Sequence, residues 1–369
     1  MTEKEIWDKA YRRIFDIYGN MPDLRIVSRF YSEKQALMQY EVGKYFYDLA
    51  KLRSEAENAG ERLIVKNVIA SCLLAYLLGT TDENPLPAHY YCPKCKTVAW
   101  MEGKCVFDLR ERTCACGERM KADGFDIPFE TYFPYAKKLK TADTVPENYQ
   151  QLFDFILSYF QKSLLDTANV CKRLEKATGV CMDSIDLNDR EVKHRLLTGD
   201  FEKLASVGGE KAIKQMIALT HPITYHDLLK LIGLAHGTCT WRHNAEHLLA
   251  DNVCSLADIP ATRDEVFMTI QDAMRDCDFH DTGFAIDVAN KARRGYYLEH
   301  GMDDYTNQTL SMLGFDDWLG SYIRASQYMS TKALAVLELK YSIILNWYRF
   351  YYPREYHIVK ETVEIMRNM

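Results

Sequence analysis

Two tight cysteine pairs, Cys92/Cys95 and Cys114/Cys116, constrain this chain more than any other feature. Residues 84–131 read N-P-L-P-A-H-Y-Y-C-P-K-C, then eighteen residues, then C-A-C-G, and shortly after D-G-F-D-I-P-F-E-T. Thiolates at this spacing can close a tetrahedral S₄ site on one Zn²⁺. Gly117, directly after the second pair, supplies the permissive φ that a metal knuckle needs. The second pair is C-x-C, one residue tighter than the usual C-x-x-C. Cys105, inside the insert, is therefore an alternative ligand. The competing reading is a set of free thiols.

Length and composition bound the rest. At 369 residues the chain has room for two or three modules and a sizeable core. Its 47% hydrophobic and 27% charged residues describe an ordinary globular protein. The N-terminus, M-T-E-K-E-I-W-D-K, is charged throughout and reads as no secretory signal. With 11 cysteines, an odd number, the expectation is a cytoplasmic protein with reduced thiols. The longest apolar run, 63–78, contains Lys66 and Asn67 and is short for a bilayer, so a buried helix is expected and no membrane partner. Net charge is −6, and residues 1–150 balance 22 basic against 22 acidic. The acidic excess thus lies wholly in 151–369, which disfavours a surface built to track phosphates.

Helical spacing runs through most of the chain. Ile6, Ala10, Ile14 and Ile17 predict a first helix, broken at 19–22. Residues 24–52 read as a second helical stretch, and 63–78 as a third. Within 97–109, the pieces 98–100 and 106–107 favour a small β ribbon. Residues 134–147 read as a linker with Lys137, Lys138 and Lys140, and 149–178 as a helix capped by Gly179. Further helices are expected at 205–219, 224–234, 242–249 and 262–274, and 287–294 carries Lys291, Arg293 and Arg294 ahead of Gly295. One or two long helices should cover 311–352, ending at Pro353. No internal repeat or low-complexity segment is present.

Read together, these motifs resemble the PolC-type α subunit of bacterial DNA polymerase III, in which a zinc module precedes the catalytic aspartates. The 84–131 pattern is the specific part. I-G-L-A-H-G-T-x-x-W at 232–241, with Asn244-Ala245, resembles that family's fingers motif. Arg263-Asp264, the basic turn 291–295 and Y-M-x-x-K-A-x-A at 328–335 resemble the same region, and Ile17-Tyr18-Gly19 the start of its thumb. The resemblance covers nearly the whole chain but only a central slice of the longer polymerase.

Several positions depart from the family pattern. Its phosphate-gripping turn, S-R-G-S-x-G-S, falls on 65–71, which here reads V-K-N-V-I-A-S without a glycine. Its P-D-I-D falls on Pro146, Glu147, Asn148 and Tyr149, and its third aspartate near Gln161. Much of the palm beyond that point has no counterpart. In its P-K-A-H-A motif, Thr331 replaces Pro and Leu334 replaces His, while Lys332 stays. Two-metal phosphoryl transfer needs carboxylates that hold both ions, and a lone Glu147 does not supply them.

The expectation is a mainly α fold: helical thumb-like and fingers-like regions joined by a small zinc-bound β ribbon. Its parts should be 1–79 (thumb-like, with a palm remnant), 80–133 (zinc module), 134–200 (linker and palm-remnant helices) and 201–369 (fingers-like). The expected metal ligands are Cys92, Cys95, Cys114 and Cys116, with structural zinc. Catalytic residues are expected to be absent. His236, Thr238, Lys291, Arg294 and Lys332 are candidate nucleotide or phosphate contacts. His236, His243 and His247 form H-x₆-H-x₃-H, a weaker metal candidate without a carboxylate partner. Residues 151–155 weakly resemble a clamp-binding peptide but read better as an amphipathic helix. The expected function is a catalytically inactive, replication-associated protein whose partner is a polymerase or other replisome protein, with DNA as the weaker partner. The alternatives are a minimal nucleotidyltransferase using Glu147, Asp154 and Asp166, and a DNA-binding module.

Overall fold

The computed structural model describes residues 1–65, 69–132, 162–202, 209–315 and 317–368. The readings at Lys66, Asn67, 134–147, 146–149, 151–155 and Gln161 lie outside the described residues, as does the start of the helices expected at 149–178 and 205–219. The chain divides into two compact units, Met1–Asn188 with Ile344–Met369, and Asp189–Ile343. Both are mainly helical, and the first carries a small antiparallel sheet. Among the described residues, no helix is long and apolar enough to cross a membrane.

The first unit begins with α1 (Glu3–Tyr18), α2 (Leu24–Leu37) and α3 (Val42–Asn58). Thr2 and Glu5 close a capping box at the start of α1. The inward residues Trp7, Ile14, Phe30, Phe46 and Leu73 share one core cluster. The continuous stretch expected over 24–52 is broken: Met38–Tyr40 tightens to a 3₁₀ turn and Glu41 takes a left-handed conformation (φ 52°). The break has a distant cause. The Glu3 carboxylate accepts from the Gly43 (2.9 Å) and Lys44 (3.1 Å) amides, capping α3 from another helix. Gly43 leaves the room, since a Cβ there would lie 2.7 Å from Glu3 Oε1.

The described residues of the apolar run 63–78 are mostly buried, as expected, but they do not form one helix. Residues 61–64 are irregular, Ile69–Ser71 is 3₁₀, and only α4 (Leu73–Leu78) is α-helical. Again a distant carboxylate sets the boundary. Fully buried Glu33 accepts from the Leu73 (2.8 Å) and Leu74 (3.1 Å) amides and from Arg29 Nε (2.8 Å). Arg29 also donates to the Ser71 and Ile127 carbonyls, both at 2.9 Å, which ties α2 to the segment after the cysteines.

The sheet has the order β2-β1-β3, with β1 (His89–Tyr91) between β2 (Val98–Trp100) and β3 (Lys121–Asp123). Tyr90 pairs with Ala99 on one side and Ala122 on the other. Val106–Asp108, expected in the ribbon, is instead a 3₁₀ turn that buries Phe107. The unit is completed by α5 (Lys162–Thr178), ended by left-handed Gly179 (φ 73°), and by helices near the chain's end.

The second unit contains α6 (Arg190–Thr198), α7 (Gly209–Thr220), α8 (Tyr225–His236), α9 (Glu246–Ala250), α10 (Arg263–Asp276), α11 (Thr282–Arg293), α12 (Tyr296–His300), α13 (Asp304–Met312) and α14 (Asp317–Ala325). Capping boxes Thr224/Asp227 and Thr262/Glu265 open α8 and α10. α15 (Lys332–Tyr351) has residues in both units. The long helices expected over 311–352 are therefore interrupted at 313–315 and again at 326–331. Pro353 does not end the helical structure. It occupies the first position of α16 (Pro353–Asn368), where its missing N–H costs nothing.

A candidate metal centre

The cysteine module is built as two matching turns. In the first, the Lys96 amide donates to the Cys92 carbonyl (2.9 Å) and Lys96 is left-handed (φ 63°). In the second, the Gly117 amide donates to the Cys114 carbonyl (2.9 Å) and Gly117 is left-handed (φ 86°). The residue after each pair thus reverses the chain so that both thiols of the pair point one way. The one-residue difference between C-x-x-C and C-x-C leaves this arrangement intact.

The four sulfurs of Cys92, Cys95, Cys114 and Cys116 all lie within 4.8 Å of one another. Cys92 Sγ is 3.5 Å from Cys116 Sγ, and Cys95 Sγ is 3.4 Å from Cys114 Sγ. Tetrahedral S₄ coordination at about 2.3 Å implies sulfur–sulfur distances of about 3.8 Å. The donor set and its spacing therefore fit one tetrahedral ion. Cys105 is not in the cluster; it stands ahead of the 3₁₀ turn at Val106–Asp108, so the four sulfurs meet without it.

Charge distribution within the cluster suits a cation. Hydrogen bonds from the Thr97 hydroxyl and amide hold the Cys95 thiol down to about 6. The Cys116 amide also favours the Cys114 thiolate. Its hydrogen bond to Cys95 and partial desolvation prevail, and Cys114 rises to about 11. One thiol in this pair is poised to ionise while its neighbour shares the proton. A bound divalent ion deprotonates coordinating thiols outright.

The module is anchored to the helical core by a buried polar network. Asn84 Nδ2 donates to Tyr18 Oη (2.9 Å) and to Asp123 Oδ2 (2.8 Å), which also accepts from Tyr76 Oη (3.0 Å). His89 lies 3.1 Å from Tyr18 Oη through Nε2 and 2.8 Å from the Pro87 carbonyl through Nδ1. Burial pushes the His89 imidazole below its ordinary range. A neutral ring with hydrogen on Nδ1 satisfies both contacts. Lys96 Nζ donates to the Asp16 carbonyl (2.7 Å) at the end of α1, a favourable place for a cation. This network was not legible from the cysteine spacing, although Tyr18, Asn84, His89 and Asp123 all lie in the motifs quoted above.

The other candidate residues fall in the second unit. Residues 327–332 form its hub. The Thr238 amide donates to the Tyr328 carbonyl (2.8 Å), and the Gln327 amide to the Thr238 carbonyl (3.0 Å). The Arg263 amide donates to the Ser330 carbonyl (2.9 Å), and the Lys332 amide to Asp264 Oδ2 (2.7 Å). A Cβ on Gly295 would lie 2.4 Å from the Gln327 carbonyl oxygen. The structure thus brings Thr238, Arg263, Asp264, Lys332 and the 291–295 turn to one segment.

Their side chains differ in availability. His236 is buried, with Nε2 3.6 Å from Glu338 Oε1. Lys332 is buried, and Lys291 pairs with Asp287 (2.7 Å) while lying over the Tyr296 ring. Thr238 and Arg294 are exposed. His243 and His247 have ring centroids 5.6 Å apart, but they do not share a regular helix. Residues 242–244 are non-helical, because Asn244 Nδ2 is drawn to the Cys239 carbonyl (2.8 Å) and the Tyr322 carbonyl (3.1 Å). Among the described residues, the four cysteines are the only group of three or more potential metal ligands that meet.

No protein-family model matches the chain. It is similar to the DNA polymerase III PolC-type of Caldanaerobacter subterraneus subsp. tengcongensis, at 23% identity over 98% of this chain and 34% of that protein. The corresponding protein of Clostridium perfringens is 22% identical over 98% of the chain and 33% of its own length. That of Bacillus subtilis is 21% identical with the same coverage. The chain is thus a distant, partial relative of PolC-type DNA polymerase III, and it spans about a third of the length of the curated relatives it matches. The alignment with the first relative runs over 486 positions, to which this chain contributes 98% of its 369 residues. More than a hundred positions of that span therefore have no counterpart here.

Proposed function

We propose that this chain is a catalytically inactive PolC relative that serves replication by binding a protein partner, a polymerase or another replisome component. The observation that carries this reading is the shortfall inside the matched span. A relative that aligns over nearly its whole length yet lacks over a hundred positions of the matched span keeps the outline of the polymerase and, on this reading, lacks part of its working centre. Glu147 and Tyr149 standing in the family's P-D-I-D support the same conclusion, since a single carboxylate cannot fix two ions.

A protein partner is favoured over DNA on electrostatic grounds. The second unit, Asp189–Ile343, carries 22 acidic and 16 basic residues, which accounts for the whole net charge of −6. Such a surface repels a phosphate backbone on average. Zinc is the proposed ion of the four-thiolate site, where it would hold the two turns and the sheet together.

Primer extension with Mg²⁺ or Mn²⁺ tests the reading. No incorporation is expected. Incorporation that disappears in Glu147→Ala overturns it in favour of a minimal nucleotidyltransferase. Titration with primer–template at two salt concentrations tests the DNA reading, because phosphate-driven binding weakens steeply with salt. Binding of the purified chain to the purified polymerase of its host tests the partner.

A further inference from the structure

We infer that the outward face of α12 and α13 is a docking surface for a basic, amphipathic helix of a partner protein. This deepens the proposal of a protein partner and rests on it.

α13 buries Thr306, Thr309 and Leu310 on its inner side. The opposite side of such a surface helix is normally charged. Here it presents Tyr305, Gln308 and Met312, spaced i, i+3, i+7 and hence on one stripe. Tyr305 is 60% exposed and Met312 81%. On α12, Leu298 is half exposed, and the exposed Tyr296 stacks on His300 at 4.4 Å. The Tyr305 ring rests edge-on against Phe284 of α11, at 5.8 Å, which fixes its position. Tyr305 and Met312 flank Gln308 on the exposed side of α13, and the Phe284 ring holds Tyr305 in place, an apolar pair that a partner would cover.

The surrounding charge selects the partner's chemistry. Residues 276–312 contain seven acidic and three basic residues. Of the basic ones, Lys291 is engaged by Asp287 at 2.7 Å and Arg293 lies over the Tyr328 ring, while Arg294 is exposed and leaves the acidic residues in excess. Glu299, Asp303 and Asp304 are exposed beside the apolar stripe. A helix offering apolar residues at i, i+3 and i+7, with Lys or Arg on its flanks, complements both the stripe and its rim. An acidic helix, a nucleic acid or an anionic lipid surface does not.

The test uses the full chain and three fluorescent 16-residue peptides. One is an amphipathic helix with Leu on one face and Lys elsewhere, the second replaces Lys by Glu, and the third scrambles the first. The Lys helix should bind, weaken with added salt, and lose tenfold or more in affinity with Tyr305→Ser/Met312→Ser. Glu299→Gln/Asp304→Asn should weaken it several-fold while the circular dichroism spectrum of each variant stays unchanged. Equal binding of the scrambled peptide, no binding, or an unaffected double variant overturns the inference. So does a concentration-dependent dimer, or binding to phosphatidylserine vesicles, abolished by the same pair. Failure here with primer extension still negative sinks the surface alone; DNA synthesis by the chain sinks the functional reading beneath it.

Discussion

Gly124→Ala should be far more damaging than Gly117→Ala, although both glycines follow the same module and both are left-handed. Gly124 sits where the chain leaves β3 and turns back along residues 84–87, with φ +96°. A Cβ there would lie 2.3 Å from the Pro87 carbonyl oxygen and 2.8 Å from that of Leu86. Both are backbone atoms, so no rotamer relieves the clash. The two segments must part, at the expense of Phe125 N–H to Asn84 O (2.9 Å), Asp126 N–H to Leu86 O (2.8 Å) and Ile127 N–H to Pro85 O (2.9 Å). The left-handed alanine costs about 1 kcal/mol. Overpacking adds roughly 1–3 kcal/mol, and each hydrogen bond that weakens adds about 1 kcal/mol. The expected total is about 3–7 kcal/mol, set by how many of the three bonds weaken, a large share of a typical domain's stability. Gly117 has φ +86° and nothing within 4 Å of its built Cβ, so its alanine variant should lose only about 1 kcal/mol. Urea unfolding followed by tryptophan fluorescence, with Trp7 and Trp100 in this unit, measures both. Similar losses in the two variants would refute the close approach of Gly124 to residues 86–87.

Metal analysis of the purified chain should give one zinc per chain; Cys92→Ser and Cys114→Ser should lose it, Cys105→Ser should keep it, and chelation should lower the melting temperature. Glu33→Gln removes the charge that holds Arg29 and faces two amide donors with a neutral group. It should destabilise the first unit by about 3 kcal/mol, read as a lower urea midpoint, whereas an exposed pair such as Arg13/Asp16 should be worth under about 1 kcal/mol. Burial depresses the folded-state pKa of His89 and of half-buried His226. The unfolded chain therefore takes up protons first as pH falls below about 6.5, and stability present above that pH is lost at up to about 1.4 kcal/mol per pH unit per group. Comparing urea midpoints at pH 7 and 5.5 measures this, and a His89→Gln variant with an unchanged pH slope in the first unit would contradict the burial argument.

The local signals in the sequence were reliable where the cause is local. The cysteine turns, the capping residues Thr224 and Thr262 and the end of α1 at Gly19 all depend on neighbours within a few residues. The boundaries that sequence reading missed are set from far away. Glu3 starts α3 forty residues downstream, and Glu33 starts α4 at the same remove. Neither 24–52 nor 63–78 contains any local sign of a break, so an apolar period extends across both. Val106-Phe107 favours a strand by residue type but buries Phe107 through a 3₁₀ turn instead. Pro353 stops a helix or starts one depending on its register, and here it starts one. The helix expected at 242–249 fails until Glu246 because the Asn244 side chain bonds the Cys239 carbonyl before the kink and the distant Tyr322 carbonyl of α14.

The candidate contacts of the second unit illustrate what similarity at this distance preserves. Thr238, Arg263, Asp264 and Lys332 match the fingers-like motifs; Thr238 and Arg263 meet residues 327–332 through main-chain hydrogen bonds, while Asp264 receives the Lys332 amide. These bonds require the backbone path, and Asp264 alone contributes through its side chain. Leu334, where the related motif has His, is 9% exposed, and Thr331 is 1% exposed. The segment has thus kept its course through the unit while two of its motif positions face the core. Retention of a motif residue is then explained by packing before any ligand is invoked. The same reasoning separates the cysteine cluster from the rest. Its four thiols are drawn together with two exposed at the surface, and a hydrophobic core has no use for them there. Burial accounts for Lys332 and His236; the convergence of Cys92, Cys95, Cys114 and Cys116 is instead the geometry of a possible metal site.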